Sequence, residues 1–306
     1  MSNNGNKSTI NEIMSQRPLR VLVAGATGYL GGLVVEACHR EGWWVRALAR
    51  DPAKLGNIKE MCDDIFVGHA TKDDTLNGLC DGIDVVFSSI GFMSFAKKPS
   101  IWEVDYEANM NIVRRARAAN VKHFVYTSTV GCTEMAKNVR IAQAKMAICK
   151  ELEKSKFTWS VLEPTGFFDD MRKLFDHVRS RGTAIVFGSG NTKLNPIHGI
   201  DLANAAVKAI KDSSWHNKYI PVGGPEVYTH NEVAKLVFEV LGKPPKIRKV
   251  PPWLLKIISS VARPFNANIA DMIWFFIAIG SIPDLSAPAF GNHHLKDFFQ
   301  ELAKQS

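Results

Sequence analysis

Two groups of residues in this chain have types and spacings suited to chemistry. The first is Gly25, Gly28 and Gly31, spaced G-x-x-G-x-x-G directly after the apolar run Val21-Leu22-Val23-Ala24. A buried strand that ends in a glycine turn and opens into a helix presents bare backbone N–H groups to a pyrophosphate. Gly25 allows the tight turn, Gly28 lets a ligand approach the main chain, and Gly31 lets the helix pack closely on the strand. Thr27, Tyr29 and Leu30 fill the turn and start the helix. A glycine triplet alone is weak evidence; a β-α unit followed by a second strand is the context that makes it a dinucleotide site. The second group is Lys145 with the hydroxyls of Ser128 and Thr129. Ile141, Lys145, Ile148 and Leu152 share one helix face at i, i+4, i+7, i+11 spacing. A lysine inside an apolar stripe either snorkels to solvent or is held there for use.

The end of the second strand selects the dinucleotide. It reads Arg46-Ala47-Leu48-Ala49-Arg50-Asp51. An acidic residue there bonds the ribose hydroxyls of NAD, whereas an arginine offers a fork of donors to the 2′-phosphate of NADP. Arg50 holds that position, Lys54 can assist, and Asp51 precedes Pro52 as the cap of the next turn. The expected cofactor is therefore NADP(H), with NAD(H) second.

These residues need a frame that brings them to one edge. Strands are expected at Leu19–Ala24, Trp44–Ala49, Asp64–Val67, Asp84–Ser88, His123–Thr127 and Thr158–Leu162. Helices alternate with them at Tyr29–Glu41, Trp102–Ala119 and Val139–Ser155. Short apolar strands alternating with helices predict an α/β fold, a Rossmann-type doubly wound parallel sheet. Ligands of such sheets lie beyond the carboxyl ends of the strands. That rule singles out Ser88, Ser89 and Gly91 after the fourth strand, and Pro164, Thr165, Gly166 and Phe167 after the sixth. It also puts Ser128 and Thr129, just past the fifth strand, at that edge; Lys145 is on the helix before the sixth strand, where this fold puts its active site, so that its ammonium would bond the nicotinamide ribose and, partly desolvated, serve as general acid. Strand-end hydroxyls that merely cap loop N–H groups are the plainer reading of Ser128 and Thr129.

The rhythm changes after Pro164. Helices are expected at Asp169–Ser180, at Asp201–Lys211 with Asp201 as N-cap, and at Tyr228–Leu241 with Thr229 as cap. A hydrophobic helical segment spans about 253–281. The organisation expected is a mobile extension at 1–17, a Rossmann domain at 18–163, and a smaller, mostly helical substrate lobe at 164–306 interleaved with the Rossmann core.

The accumulated motifs resemble the short-chain dehydrogenase/reductase superfamily in its atypical and extended branches, nearest the NmrA-like and divinyl-chlorophyllide-reductase-like group. The residues that carry the resemblance are Gly25-Ala26-Thr27-Gly28-Tyr29-Leu30-Gly31, Val104 to Asn111, Phe124-Val125-Tyr126-Thr127-Ser128-Thr129, Pro164 to Phe168, and Asn195 to Ala203. It covers residues 19–302. The resemblance implies that Lys145 is catalytic, that a hydroxyl at Thr129 or Ser128 bonds a substrate oxygen, and that 164–167 packs beside the nicotinamide. Three positions depart from the superfamily. Its Tyr-x-x-x-Lys reads Ile141-Ala142-Gln143-Ala144-Lys145 here. The Gly-Asp pair after the third strand is Gly68-His69, and the arginine before the proline of strand six is Glu163. Tyr106, Tyr126 and His198 are the other proton donors within the candidate regions, with His198 read chiefly as ordering its loop.

Composition bounds the remainder. The 306 residues are 46% hydrophobic and 22% charged, an ordinary globular balance. Cys38, Cys62, Cys80, Cys132 and Cys149 show no C-x-x-C spacing, which points to neither disulfides nor a metal site. With no secretory signal visible, the cytoplasm is the expected compartment, with an organellar transit peptide left open. The longest apolar run, Met272 to Ile279, is far short of the ~20 residues that span a bilayer. The net charge of +8 is concentrated in part between Val240 and Ala270, which holds Lys243, Lys246, Arg248, Lys249, Lys256 and Arg263 and no acidic residue. No nucleic-acid motif accompanies them, so nucleic acid is not an expected partner. A core helix pair under a solvated basic loop is one reading; an apolar substrate mouth with peripheral membrane contact through 243–281 is the other. The chain is expected as a monomer or homodimer.

The function expected is an NADP(H)-dependent reductase of an apolar small molecule, a conjugated C=C, a carbonyl or a benzylic ether. The alternatives are an isomerase or rearrangement enzyme using the same cavity, and a non-catalytic NADP-binding sensor or assembly protein.

Overall fold

The computed structural model describes residues 17–92 and 96–305. The extension expected at 1–17 lies outside the described residues apart from Arg17, whose guanidinium donates to Asp84 Oδ1 at 2.9 Å.

Among the described residues the strands run β1 Arg20–Ala24, β2 Trp44–Ala49, β3 Asp64–Val67, β4 Val85–Ser88, β5 His123–Thr127, β6 Thr158–Pro164, β7 Ala184–Phe187, β8 Lys193–Leu194, β9 Lys218–Val222, β10 Tyr228–Thr229 and β11 Ile247–Val250. Seven of them form one parallel sheet in the order β3-β2-β1-β4-β5-β6-β9. The order reverses between β1 and β4, the crevice where such folds bind ligands. Val21, Leu22, Val23 and Ala24 are wholly buried, as a central strand covered on both faces requires.

The α-helices are α1 Tyr29–Arg40, α2 Asn109–Ala118, α3 Cys132–Met135, α4 Arg140–Glu153, α5 Phe168–Arg181, α6 Gly199–Lys211, α7 His230–Val240, α8 Pro252–Ala262, α9 Ala267–Ser281 and α10 Leu295–Lys304. One face of the sheet packs α1 and α6 through Val34, Val35, Leu202 and Ala206. The other packs α2 and α4 through Ile112, Val113, Ile148 and Leu152. A separate core of Phe175, Val178, Phe238 and Phe299 joins α5, α7 and α10 in the C-terminal half. Yet β9 of that half pairs with β6, so the two halves share the main sheet.

Several expectations are corrected. Asp201 does not cap α6; His198 does, its Nδ1 accepting from Ile200 N at 3.2 Å. Asp201 is instead buried in the first turn, where it accepts from His293 N and pairs with His293 Nδ1 at 2.9 Å. The hydrophobic segment at 253–281 is two helices, because Pro264 follows α8 and Asn266 caps α9 by accepting from Ile269 N. The helix expected at Trp102–Ala119 has a π-helical turn at Glu103–Ala108 before α2. Thr229 caps α7 in a reciprocal box with Glu232, and Asp51 accepts from Ala53 N ahead of a 3-10 turn.

Candidate active site

The glycine turn sits at the carboxyl end of β1. Gly25 has φ +94°, a left-handed conformation that side chains resist. Its carbonyl accepts from Gly28 N at 2.9 Å, closing the turn. A Cβ at Gly31 would lie 2.0 Å from the Gly25 oxygen, so only glycine lets α1 approach β1 this closely. Gly28 precedes α1 with no side chain capping its first N–H groups, and the first turn holds no acidic residue. Thr27, Gly28 and Tyr29 are exposed, whereas Leu30 and Gly31 are buried in the packing of α1. These unpartnered N–H groups and the positive end of the helix fit a pyrophosphate. Tyr29 also serves the packing of the fold. Its hydroxyl accepts from Gly199 N at 3.2 Å, and its ring stands edge-on to Phe167.

Arg50 follows β2, exposed and without an ion-pair partner among the described residues. Lys54 is exposed one turn later. Burial lowers the basicity of the His69 imidazole, and the Arg50 charge adds to that effect, so the two share the β2–β3 edge. This is the end of the crevice that receives an adenosine ribose, and two free cations there fit a 2′-phosphate.

The loop after β4 closes the crevice. Ser89 Oγ lies where a Gly25 Cβ would meet it. Ser88, expected along the cofactor path, is wholly buried and donates to Asn109 Oδ1 at 2.7 Å. It ties β4 to α2 and is not an exposed lining residue. Asn109 Nδ2 in turn donates to Ile90 O and Asp105 O, so one buried amide holds the loop to the π-helical turn.

Lys145 reaches this loop from α4. Its side chain is 14% exposed, and Nζ stands 3.5 Å from Asp105 Oδ1 on a side chain 1% exposed. It also donates to Thr127 O at 3.4 Å and lies 5.6 Å from the Tyr126 ring centroid. Asp105 Oδ2 accepts from Phe92 N at 2.9 Å. A Cβ on Gly91 would come within 3.4 Å of Asp105 Oδ1 and 3.6 Å of the ammonium, so the bare glycine lies directly against the pair. Burial pushes the Asp105 carboxyl up, while the Lys145 charge and the Phe92 N–H pull it back. Asp105 was not singled out from sequence. It sits on a π-helical turn, a device that recurs at functional sites.

The hydroxyls differ from one another. Thr129 is half-buried and donates to Pro164 O at 3.3 Å. Ser128 Oγ is buried with no hydrogen-bond partner among the described residues, and the thiols of Cys132 and Cys149 are its neighbours. Tyr126 is wholly buried, its hydroxyl has no partner among the described residues, and burial raises its pKa well above the ordinary value. Glu163, at the end of β6, is pushed up to about 7 by burial and by the nearby Glu134 carboxylate. Ile141, at the place of the superfamily tyrosine, is 4% exposed and packs with Ile101, Met135 and Met272.

The segment after β6 is fixed from below. Pro164 is buried, and Thr165 Oγ1 donates to Asn195 O. Gly166 has φ +132° and accepts from Ile197 N at 2.9 Å. Phe167 remains half-exposed while Phe168 joins the C-terminal core. His198 orders its loop as α6's cap and stacks on His293 at 4.3 Å. A basic cleft of about 600 Å³, lined by Arg117, Lys122, Lys154 and Lys156, lies at the amino ends of β5 and β6. It faces away from the crevice.

The glycine turn, two exposed cations and a sequestered ammonium thus lie along one sheet edge. The chain is 30% identical to the chloroplastic divinyl chlorophyllide a 8-vinyl-reductase of Cucumis sativus, over 98% of this chain and 80% of that protein. It is 25% identical to the photosystem II assembly factor Ycf39 of Trieres chinensis, over 89% and 85%. The NADPH-dependent quinone oxidoreductase of Escherichia coli, solved with NADPH, superposes with a TM-score of 0.75 at 17% identity, over 93% of this chain and all of that one. No helix among the described residues is long and apolar enough to cross a membrane. The sequence pattern of the NmrA-like family matches residues 18–288, and the chain belongs to that family.

Proposed function

We propose that the chain is an NADP(H)-dependent reductase of an apolar small molecule carrying a conjugated C=C, a carbonyl or a benzylic ether. The observation that carries this reading is the Lys145–Asp105 pair, held against Gly91 at the same sheet edge as the glycine turn. Bound NADPH supplies a hydride, and the protein supplies position, electrostatics and dryness. The glycine turn and the first N–H groups of α1 bind the pyrophosphate, and Arg50 with Lys54 bind the 2′-phosphate. Lys145 bonds the nicotinamide ribose and holds a proton for the acceptor. Asp105 keeps that ammonium in place. Ser128 and Thr129 offer hydroxyls to a substrate oxygen, and the segment 164–167 borders the nicotinamide.

With Ile141 where a tyrosine phenol would stand, an alkoxide formed at the site lacks the usual donor. Acceptors that tolerate an ammonium or a water as donor, such as conjugated alkenes and quinone-like carbonyls, suit the site better than simple ketones. The likeness to a vinyl reductase and to a quinone oxidoreductase supports the same choice. A second reading is favoured by Ile141 and by the likeness to an assembly factor: an NADP-binding protein without turnover.

The experiment is NADPH consumption across lipophilic enones and quinones, with Lys145→Ala alongside. Turnover lost in that variant supports the reductase. Tight NADPH binding without consumption by any acceptor supports the second reading instead.

A further inference from the structure

Helix α8 is amphipathic the wrong way round for a helix covering a soluble core. Leu255 and Ser259 turn inward, and Ser259 Oγ donates to Ala270 O of α9. Trp253, Ile257 and Val261, with Leu254 and Ile258 beside them, lie one turn apart on the opposite side and are exposed. Trp253 is 62% exposed, Val261 64%, and Phe265 just past the helix 73%. A face of large apolar side chains this continuous marks a surface that meets something else. In the two-stranded sheet that precedes α8, Ile185 and Phe187 of β7 are exposed as well.

The charge around the face is of one sign. Lys246, Arg248 and Lys249 are exposed and meet no carboxylate among the described residues. Arg248 and Lys249 stand on β11, in register with Ile185 and Val186 of β7. Lys256 flanks the apolar face on α8 itself, near the Trp274 ring. Arg263 is the member that is paired, to Asp271 at 2.7 Å. No acidic residue occurs between Val240 and Ala270 to repel an anion. The 11 residues of α8 cannot span a bilayer, but a short helix with an apolar face and basic flanks lies in the plane of an anionic one.

We propose that the exposed face of α8, with Phe265 and the basic residues 246–249, docks this protein on an anionic lipid bilayer. The apolar side chains enter the headgroup boundary, and the cations pair with lipid phosphates. Helix α9, on which α8 rests, packs against α4 through Met272 and Ile141, so the docked face lies one helix layer from the helix that carries Lys145. An apolar molecule dissolved in the bilayer would then be presented on the side of the protein that holds its site. The docking itself rests on the surface alone and is independent of the reductase reading.

The test is co-sedimentation of the full chain with vesicles of phosphatidylcholine alone and with vesicles of phosphatidylcholine mixed with phosphatidylglycerol. The expected result is binding to the mixed vesicles that weakens as salt is added. Ile257→Asp with Val261→Asp should abolish it. Lys246→Ser with Lys249→Ser should weaken it about 30-fold, at ~1 kcal/mol per lysine. Both pairs of substitutions are at exposed positions, so circular dichroism and NADPH affinity should be unchanged, which separates a docking failure from a failure of the site. The proposal is overturned if neither vesicle binds the protein. It is overturned equally if binding survives both variants, or if the aspartate pair converts a dimer to a monomer while lipid binding is absent.

Discussion

Lys145 Nζ stands 3.5 Å from Asp105 Oδ1, and neither side chain keeps more than 14% of its surface in water. A charge pair so placed is costly to assemble and more costly to break on one side. Asp105 spends its other oxygen on Phe92 N, so the pair ties the helix that carries the lysine to the loop bordering the glycine turn. The lysine is thereby held at a fixed height above the β5 carbonyl at Thr127.

Lys145→Ala should therefore cost stability as well as activity. It leaves a buried carboxylate without its cation, a change expected to cost about 3–5 kcal/mol. Lys145→Met combined with Asp105→Asn removes both charges and should recover most of that loss while activity stays absent. Urea midpoints of Lys145→Met, Asp105→Asn and the double variant measure the coupling. If the double variant is no more stable than the worse single, the pair is not what the missing charge disrupts.

Gly31 and Gly28 should respond differently to a single methyl group. At Gly31 the added Cβ would sit 2.0 Å from a backbone oxygen that cannot move without parting α1 from β1. Gly31→Ala is expected to destabilise the fold by about 3 kcal/mol or more, beyond the ordinary range for overpacking. At Gly28 the nearest atom, Gly25 O, is 3.2 Å away, so Gly28→Ala should fold with a loss below ~1 kcal/mol. Its effect should fall on NADPH affinity, since the methyl group projects where the pyrophosphate would lie. Thermal melts with and without NADPH distinguish the two: ligand-induced stabilisation should disappear in both, and the apo melt should drop far more for Gly31→Ala than for Gly28→Ala.

Arg50 makes no ion pair among the described residues, so removing it should leave the fold intact. Arg50→Ala is expected to weaken NADPH binding about 10- to 100-fold, the equivalent of ~1.5–3 kcal/mol for hydrogen bonds to a charged group. NADH affinity should change little. Fluorescence titration with both nucleotides reads the ratio, and an equal loss for the two would remove Arg50 from 2′-phosphate recognition.

The frame of the site was readable because it is written in local patterns. The valine-rich β1 and the glycine triplet carry both the turn and the central strand, and the apolar stripe of α4 exposes Lys145 as an exception within it. Asp105 escaped the same reading for a physical reason. The π-helical turn at Glu103–Ala108 has a longer repeat than 3.6 residues, so α-helical spacing misjudges which of its side chains point inward. Ser88 misled in the opposite sense: strand-end position put it on the cofactor path, but its buried bond to Asn109 is made by a residue 21 positions away. Strand β9 was missed because Lys218-Tyr219-Ile220-Pro221-Val222 is short and contains a proline, which is tolerated there because the strand closes the edge of the sheet. The cap of α6 depended on His198 reaching Ile200 N, while Asp201, a better cap by type, was drawn inward by His293 from 92 residues away.

Two titratable groups, one buried and one half-buried, should tilt the pH dependence of stability in opposite directions. Glu163 is raised from 4.5 to about 7 by burial and by Glu134. The folded chain holds its proton more tightly than the unfolded chain, so this contribution is fully present below pH 4.5 and is lost as pH rises through about 7. His123 is lowered from 6.5 to about 4 by burial and by the neighbouring His216. The folded chain resists its protonation, so that contribution is present above pH 6.5 and is lost as pH falls toward 4. Glu163→Gln should therefore gain on the wild type progressively as pH rises from 4.5 to 7 and no further above it. His123→Phe should gain on the wild type as pH falls below 6.5, with Ser160 still donating to Trp215 O at 3.0 Å and so left satisfied. Urea midpoints measured for the three proteins across this range give the two difference curves, which should slope oppositely. A Glu163→Gln difference that does not vary with pH would mean that the carboxyl at the end of β6 ionises as freely in the folded chain as in the unfolded one.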